Sequence, residues 1–370
     1  MAIAVPLQTN LFNKLTMIDT QTIRIEATEN SRISELDENN IPFGKLYSDH
    51  MFTADYIDGE WQDLKITPYQ NISISPANTT LHYAITVFEG LKAYRNPEGE
   101  VIIFRPQANA KRLNVSGERM CIPELPEELF MEALTELIKL DSSWVPSKPG
   151  TALYIRPFIF GTDEYIGIRP SDNFRFMIIT CPVGAYYTQP VNVKIETEFS
   201  RAFEGGTGFA KAGGNYGASL YPAKLAQEKG FHQLIWTDSK THEYIEESGT
   251  MNVMFIVGDT LLTAPTSGTI LDGITRNSVL TIARDWGMKV EERRISVKEI
   301  IEAAKDGSLK EVFGVGTAAT IAPIGKIGFQ DEVYELSDPA EREFSIKILK
   351  ELNDIRTGAV EDKYGWTYKV

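Results

Sequence analysis

The sequence predicts a two-domain chain, α+β in its first half and alternating α/β in its second. Three observations carry this. The length of 370 residues suits two cores better than one. From Met51 to Cys181, short apolar runs between turn signals outnumber helical patterns, which reads as α+β. After Pro190, strand and helix patterns alternate. The expected division is an N-terminal domain over 1–181, a connecting loop over 182–190 and a C-terminal domain over 191–370. Pro182 and Pro190 frame that loop, Val183-Gly184-Ala185-Tyr186-Tyr187-Thr188-Gln189.

Residues 1–45 are polar and irregular, with Glu26, Glu29, Glu35, Asp37 and Glu38 among Asn and Ser, an extension laid over a core. Asp58-Gly59 sits between short apolar runs and signals a hairpin. Ile72, Ile74 and then Leu81 to Ala93 continue the β reading. Asn96-Pro97-Glu98-Gly99 marks a turn before the run Val101 to Phe104. Pro106 opens a short helix, where its missing N–H costs nothing. Leu129, Ala133, Leu134, Leu137 and Ile138 share one face of a helix over 124–140. Buried strands are expected over 152–160 and 174–181. Beyond the loop, strands over 234–238, 251–257, 261–262, 290–295 and 311–314 alternate with helices over 274–286, 297–304 and 340–352, before a polar tail.

Composition excludes several functions. The net charge is −14, from 37 basic and 51 acidic residues. A nucleic-acid binder or a protein drawn to anionic membranes would carry the opposite balance. An anionic ligand therefore needs a local cluster of Arg, Lys and helix N-termini. Two cysteines, Cys121 and Cys181, are too few for a disulfide scaffold and fit a reducing, cytoplasmic compartment. Two separate buried thiols are expected. The four histidines show no paired ligand spacing, so no metal is expected. Residues 1–14 lack the pattern of a signal peptide, and no segment has the apolar length of a membrane span.

The chemistry concentrates in the second half. Lys211-Ala212-Gly213-Gly214-Asn215-Tyr216 follows a loose stretch, Arg201 to Ala210. It precedes a helical pattern with Ala218, Leu225 and Ala226 that Gly230 stops. Glycines let backbone approach a ligand closely. Burial disfavours an ammonium, and a neutral amine is a nucleophile for an aldehyde. A carboxylate pair follows in Glu246-Glu247-Ser248-Gly249-Thr250-Met251-Asn252. Two turns offer backbone N–H groups to an anion. One is Leu271-Asp272-Gly273-Ile274-Thr275-Arg276-Asn277, with the Thr275 hydroxyl. The other is Gly314-Val315-Gly316-Thr317-Ala318-Ala319. Taken singly, these are a solvated lysine, two solvated glutamates and two ordinary turns.

Taken together they have a family likeness. The run AKAGGNYG around Lys211 resembles the cofactor-lysine segment of the branched-chain aminotransferases, pyridoxal 5′-phosphate (PLP) enzymes of fold type IV. From about Phe43 onward the motifs keep the family's order: lysine, glutamate, two phosphate turns. The resemblance implies a D-amino-acid-aminotransferase-like architecture, with a smaller N-terminal α+β domain and a larger C-terminal domain, assembled as a homodimer. It places the Schiff base and proton transfer on Lys211, the ring nitrogen on Glu247 rather than Glu246, and the ring oxygen on Tyr216. It places the phosphate on Arg112, Ile274, Thr275 and Thr317, with Thr250 also at the cofactor. Around the substrate it implies Tyr83 and Phe88 from the 81–93 stretch, and Tyr154 and Arg156 from Tyr154-Ile155-Arg156-Pro157. Thr250, Ala318 and Tyr186 complete that set. Ala319 and Ala322 stand where some mammalian members carry a Cys-x-x-Cys pair, so thiol regulation there is excluded.

The implied activity is reversible, ping-pong amino transfer between leucine, isoleucine or valine and 2-oxoglutarate, with glutamate as the other product. A D-amino-acid transaminase and an aminodeoxychorismate lyase are alternatives on the same fold. The 81–93 segment and the Gly-Thr-Ala turn argue against both. A kinase using Gly205-Gly206-Thr207-Gly208 lacks the Gly-Lys-Ser/Thr ending of a phosphate loop. A catalytically dead binding protein is opposed by intact Lys211 and Glu247.

Overall fold

The computed structural model describes residues 22–184 and 189–370. Asp58 and Gly59 both adopt positive φ, 53° and 88°. That conformation matches the right-handed twist of the strands a two-residue turn must join. The strands are His50–Ile57 and Glu60–Pro68, with Ile57 opposite Glu60. This hairpin belongs to a nine-stranded sheet. Its spatial order is Arg24–Ile25, Glu60–Pro68, His50–Ile57, Phe174–Val183, Ala152–Gly161, Leu91–Arg95, Val101–Phe104 and Thr367–Lys369. Thr86–Phe88 adds to it beside Ala152–Gly161. Helices Pro106–Arg119 and Glu127–Leu140 cover one face. There Leu113, Phe130, Leu134 and Leu137 share a core with Phe52, Ile66 and Phe176.

Four expectations need correction here. Leu81 to Ala93 is not one strand. Thr79–Tyr83 is a short helix, because the Asn78 side chain accepts from the N–H groups of Thr80 and Leu81. Thr86–Phe88 and Leu91–Arg95 follow, interrupted at Glu89-Gly90. The helix from Pro106 is not short but runs to Arg119. The tail is not merely polar: Thr367–Lys369 returns to pair with Val101–Phe104, a strand too short to leave a periodic signal. Cys181 is buried as expected, but Cys121 is exposed, at the positive-φ turn that ends the helix.

The second sheet also has nine strands. Its order is Ile245–Ser248, Gln233–Thr237, Val191–Ile195, Thr320–Phe329, Leu309–Gly316, Met251–Val257, Thr260–Thr263 and Lys289–Glu292. Glu332–Glu335 pairs with Thr320–Phe329. Ile245–Ser248 also pairs with Met251–Val257, so the first six strands of that order close into a ring. Helices pack on both sides. Met251, Val253 and Phe255 join the core under helix Val297–Asp306. Met254 and Ile256 face helices Ile274–Asp285 and Glu343–Arg356. Burial on both faces explains why this run is continuously apolar rather than alternating. Thr320–Phe329 was not expected, since Pro323, Gly325 and Gly328 weaken its strand signal.

The chain changes sheet between Val183 and Val191. Residues 185–188 of the expected loop, with Tyr186, and residues 1–21 of the expected extension lie outside the described residues. No helix among the described residues is long and apolar enough to cross a membrane.

Candidate active site

Lys211 is fixed through its backbone. Its N–H donates to Ser116 Oγ at 2.9 Å, and its carbonyl accepts from the Phe88 N–H at 3.1 Å. Ala212 bridges to Val87, so a loop of the second half is stitched to a strand of the first sheet. The Lys211 side chain is half-buried rather than sealed. Nζ bonds the Tyr216 hydroxyl at 2.8 Å and lies 4.6 Å from the Phe88 ring centroid. Among the described residues no carboxylate comes within ion-pair distance of it.

Glu247 owes its place to a tight hairpin. Ser248 stands opposite Met251, leaving only Gly249 and Thr250 in the turn, and Gly249 takes φ 57°. Thr250 is thereby exposed at the cleft beside buried Glu247. Glu247 Oε1 accepts from the Leu271 N–H at 2.7 Å, and Oε2 faces Arg201 Nε at 2.9 Å. Burial pushes the Glu247 carboxyl up, and the Arg201 guanidinium and the Leu271 N–H oppose that without cancelling it. Glu246, next along the strand, accepts instead from the Thr269 hydroxyl at 2.6 Å and does not line the cleft. Neither glutamate is a solvated loop charge: they are 8% and 3% exposed.

Two backbone turns face the same cleft. Helix Ile274–Asp285 starts there with no side chain capping it, so its first N–H groups are open to a ligand. The hairpin closed by Gly316 and Thr320 carries Thr317, Ala318 and Ala319 at its tip. Thr320 sits at φ 64°, a strained value for a β-branched residue. Arg356 Nη1 donates to its hydroxyl at 2.6 Å, and Lys92 Nζ donates to the Ala318 carbonyl at 2.8 Å.

Arg112, on helix Pro106–Arg119, lines the cleft but is not a solvated helix-face arginine. Nε and Nη2 grip the Glu89 carboxylate at 2.7 and 2.8 Å, and Nη1 reaches the Asp272 carbonyl at 2.9 Å. Burial alone would raise the Glu89 carboxyl, but Arg112 holds it below the usual range. Asn109 adds a third donor at 2.7 Å.

The opposite wall comes from the strand Ala152–Gly161, where Tyr154 and Arg156 share a face. The Arg156 guanidinium lies 4.7 Å from the Phe88 ring centroid and 5.3 Å from that of Tyr154. Its Nη2 donates to the Tyr154 hydroxyl at 2.9 Å. No acid pairs with it among the described residues, and buried Nε has no partner. Gly90 leaves the room this needs, because a Cβ there would collide with the Tyr154 hydroxyl.

The walls enclose about 380 Å³. Phe88, Arg112, Tyr154, Arg156, Lys211, Tyr216, Glu247, Thr250, Ile274, Thr275, Thr317 and Ala318 all line it. Tyr83 does not. It ends the helix Thr79–Tyr83 and packs against the core of the first sheet. Sequence reasoning gave no role to Arg201, Glu89 or Lys92, and it missed Phe43 and Asn252 on the cleft wall. Arg201 opens the loose stretch before Lys211, and Glu89 and Lys92 stand in the quoted 81–93 segment, but nothing local marks a charge as buried.

Fold and site together define an enzyme organised around one lysine amine and one buried carboxylate. The amino-transferase class IV family matches residues 86–327. The chain is 45% identical over 354 residues to branched-chain-amino-acid aminotransferase 2 of Bacillus subtilis, covering 95% of this chain and 97% of that one. It is 43% identical over 349 residues to a branched-chain-amino-acid aminotransferase of Mycobacterium tuberculosis, covering 92% and 94%. In structure it resembles the branched-chain amino acid aminotransferase of Escherichia coli, with a TM-score of 0.70, 26% identity and coverage of 86% and 98%. The chain belongs to the class IV amino-transferases.

Proposed function

We propose that this chain is a PLP-dependent branched-chain amino-acid aminotransferase, moving an amino group reversibly between leucine, isoleucine or valine and 2-oxoglutarate. One observation carries the reading. A lysine amine without an acid partner, a buried carboxylate and an uncapped helix N-terminus converge on one cleft. Those are the three needs of PLP: an amine for its aldehyde, an acid for its ring nitrogen and donors for its phosphate. Glu247 would hold the ring nitrogen, Tyr216 the ring oxygen, and the N–H groups of Ile274, Thr275 and Thr317 the phosphate, with Arg112 and Thr250 at its rim. When bound, PLP supplies an electron-withdrawing ring that acidifies the substrate Cα–H.

The chain's own part is positioning and proton transfer. Lys211 Nζ, steered by the Tyr216 hydroxyl, would take the Cα proton and return it to the carbon on the far side of the amino nitrogen. Glu247, raised by burial yet tied to Arg201, keeps a proton on the ring nitrogen. Phe88 and Tyr154 bury the apolar side chain, which is worth about 1.5–3 kcal/mol for leucine. Arg156, which has no acid partner among the described residues, offers its guanidinium beside them to glutamate's second carboxylate. Ala318 and Thr250 would face the substrate carboxylate side.

The reading extends to two domains, 1–181 and 191–370, and to a cytoplasmic homodimer. The change of sheet after Val183 supports the division. The exposed Leu81, Ile166 and Ile168 support a partner. The bridge between Asn78 and Glu164 brings their two segments together, and Tyr83 lies in the same region. The test is spectroscopic. Purified protein is expected to be yellow, to bleach with borohydride and to yield one labelled peptide containing Lys211. A label on Lys224, or colourless protein that binds ATP, overturns the reading.

A further inference from the structure

Among the charges near the cleft, the arginine expected at the phosphate is already neutralised. Arg112 is held in a two-pronged pair by Glu89, itself 0% exposed, so the couple brings little net charge to an incoming anion. Two other cations have no such partner. Lys92 on the strand Leu91–Arg95 is 8% exposed, and Arg356 near the end of helix Glu343–Arg356 is 2% exposed. Among the described residues neither has a carboxylate within ion-pair distance. Lys92 has the Ala318 carbonyl, and Arg356 has the Thr320 hydroxyl, the buried Tyr94 side chain and the face of Phe104 at 4.8 Å, none of them an acid. The Arg356 Nε has no hydrogen-bond partner among the described residues. Burying an uncompensated cation is costly, typically several kcal/mol, and burying two together costs more.

Their location tells what offsets this. Lys92 and Arg356 line a small cavity of about 20 Å³ with Ile274, Thr275 and Thr317, the same three residues that offer donors to the main cleft. A space of that size holds about one water, not a phosphate. An anion seated on the cleft side of these donors therefore has the two cations directly behind them.

We propose that Lys92 and Arg356 form a cationic back wall to the anion cradle, supplying the charge that balances a phosphate monoester dianion bound at Ile274, Thr275 and Thr317. They act without touching it, from behind the donors. This rests on the PLP reading and adds to it the source of the phosphate's counter-charge. Burial, with the nearby Arg356 charge acting the same way, lowers Lys92 to about 7, so a dianion is needed to keep it fully charged.

The test separates charge from shape. The full chain, stripped of cofactor, is titrated with PLP, with pyridoxal (which lacks the phosphate) and with inorganic phosphate as competitor. Lys92→Met removes the charge, Lys92→Gln keeps a donor for Ala318 without the charge, and Lys92→Arg keeps the charge. Met and Gln are each expected to weaken PLP about tenfold or more, leave pyridoxal within about twofold and blunt phosphate competition, with Arg restoring much of the loss. Equal weakening of PLP and pyridoxal would make Lys92 a brace for the Ala318 turn and overturn the proposal. An unchanged PLP-to-pyridoxal ratio overturns it as well. A wild-type chain with no preference for PLP over pyridoxal sinks the cofactor reading itself, and this inference with it.

Discussion

The strands Ile245–Ser248 and Leu91–Arg95 each carry one buried charge to the cleft region, in opposite surroundings. Glu247, on the second sheet, has a guanidinium at 2.9 Å and a backbone N–H at 2.7 Å. Lys92, on the first sheet, has a carbonyl at 2.8 Å and, nearby, another cation. Arg156, on the neighbouring strand Ala152–Gly161, repeats the Lys92 situation with aromatic rings in place of an acid. Glu247 is thus balanced within the chain, whereas Lys92 and Arg156, on the first sheet's side of the cleft, are left to be balanced by ligand. Arg112 is the exception on the first-sheet side, because Glu89 satisfies it. The difference predicts a split in phenotype. Changes at Lys211 and Glu247 act on rate, and changes at the unpaired cations act on affinity for anions.

The largest effect is expected at Lys211. Lys211→Ala removes a half-buried side chain whose backbone anchors, Ser116 and Phe88, remain. The fold should survive with a stability change within about 1 kcal/mol. The half-reaction with leucine should slow by roughly 10²–10⁴-fold, the range that proton transfer by a positioned amine is worth. Rapid-mixing spectroscopy checks this. A slowing of only a few-fold would move the amine's role elsewhere and break the comparison at its centre.

Glu247→Gln should come next. The amide still accepts from Leu271 but no longer pairs with Arg201 or keeps a proton on the ring nitrogen. We expect the half-reaction to fall by about 10²-fold or more while leucine binding changes little. If substrate affinity falls and the rate holds, the second sheet behaves like the first, and the proposed contrast disappears.

How much of this was legible in the sequence follows from the same contrast. The hairpin at Asp58-Gly59, the helix over 124–140 and the turns before Ile274 and Thr317 announce themselves through local conformation and periodicity. The Lys211 loop and the Glu247 hairpin stood out as motifs, although their convergence depends on a non-local stitch between Ala212 and Val87. Glu89, Lys92, Arg201 and Arg356 were not legible. A buried charge and a solvated one look alike in a chain, and pairing across 23 residues, as between Glu89 and Arg112, leaves no periodic trace. Tyr83 stands outside its own chain's cleft for a related reason. A resemblance assigns a residue to a site, but the Asn78 cap turned this one into a helix that leaves its own chain's cleft.

Arg156→Met tests the affinity side. One pocket must take leucine's apolar side chain and glutamate's second carboxylate, which cannot enter an aromatic wall unpaired. Removing the guanidinium that lies against both Phe88 and Tyr154 should raise the Michaelis constants for glutamate and 2-oxoglutarate roughly ten- to hundredfold. Leucine and its oxo acid should change by only a few-fold, because methionine preserves apolar contact with both rings. Equal losses for both substrate types would make Arg156 a strut for the strand.

The smallest effect is a slope, read on the cofactor-free chain. Lys92 titrates at about 7 in the folded chain against an ordinary 10.5. Between those values the unfolded chain holds a proton that the folded chain has released. Stability must therefore rise with pH across this window, by up to about 1.4 kcal/mol per unit from this one group. The penalty is absent above 10.5, grows as pH falls, and is complete once pH drops below 7. Tyr94, also beside Arg356, is raised by its own burial and titrates at the far end of the window or beyond. Urea unfolding at several pH values from 7 to 10 should show wild type gaining on Lys92→Met as pH rises. Parallel curves would mean that Lys92 is already balanced by a charge within the chain, and the first sheet would then be no different from the second.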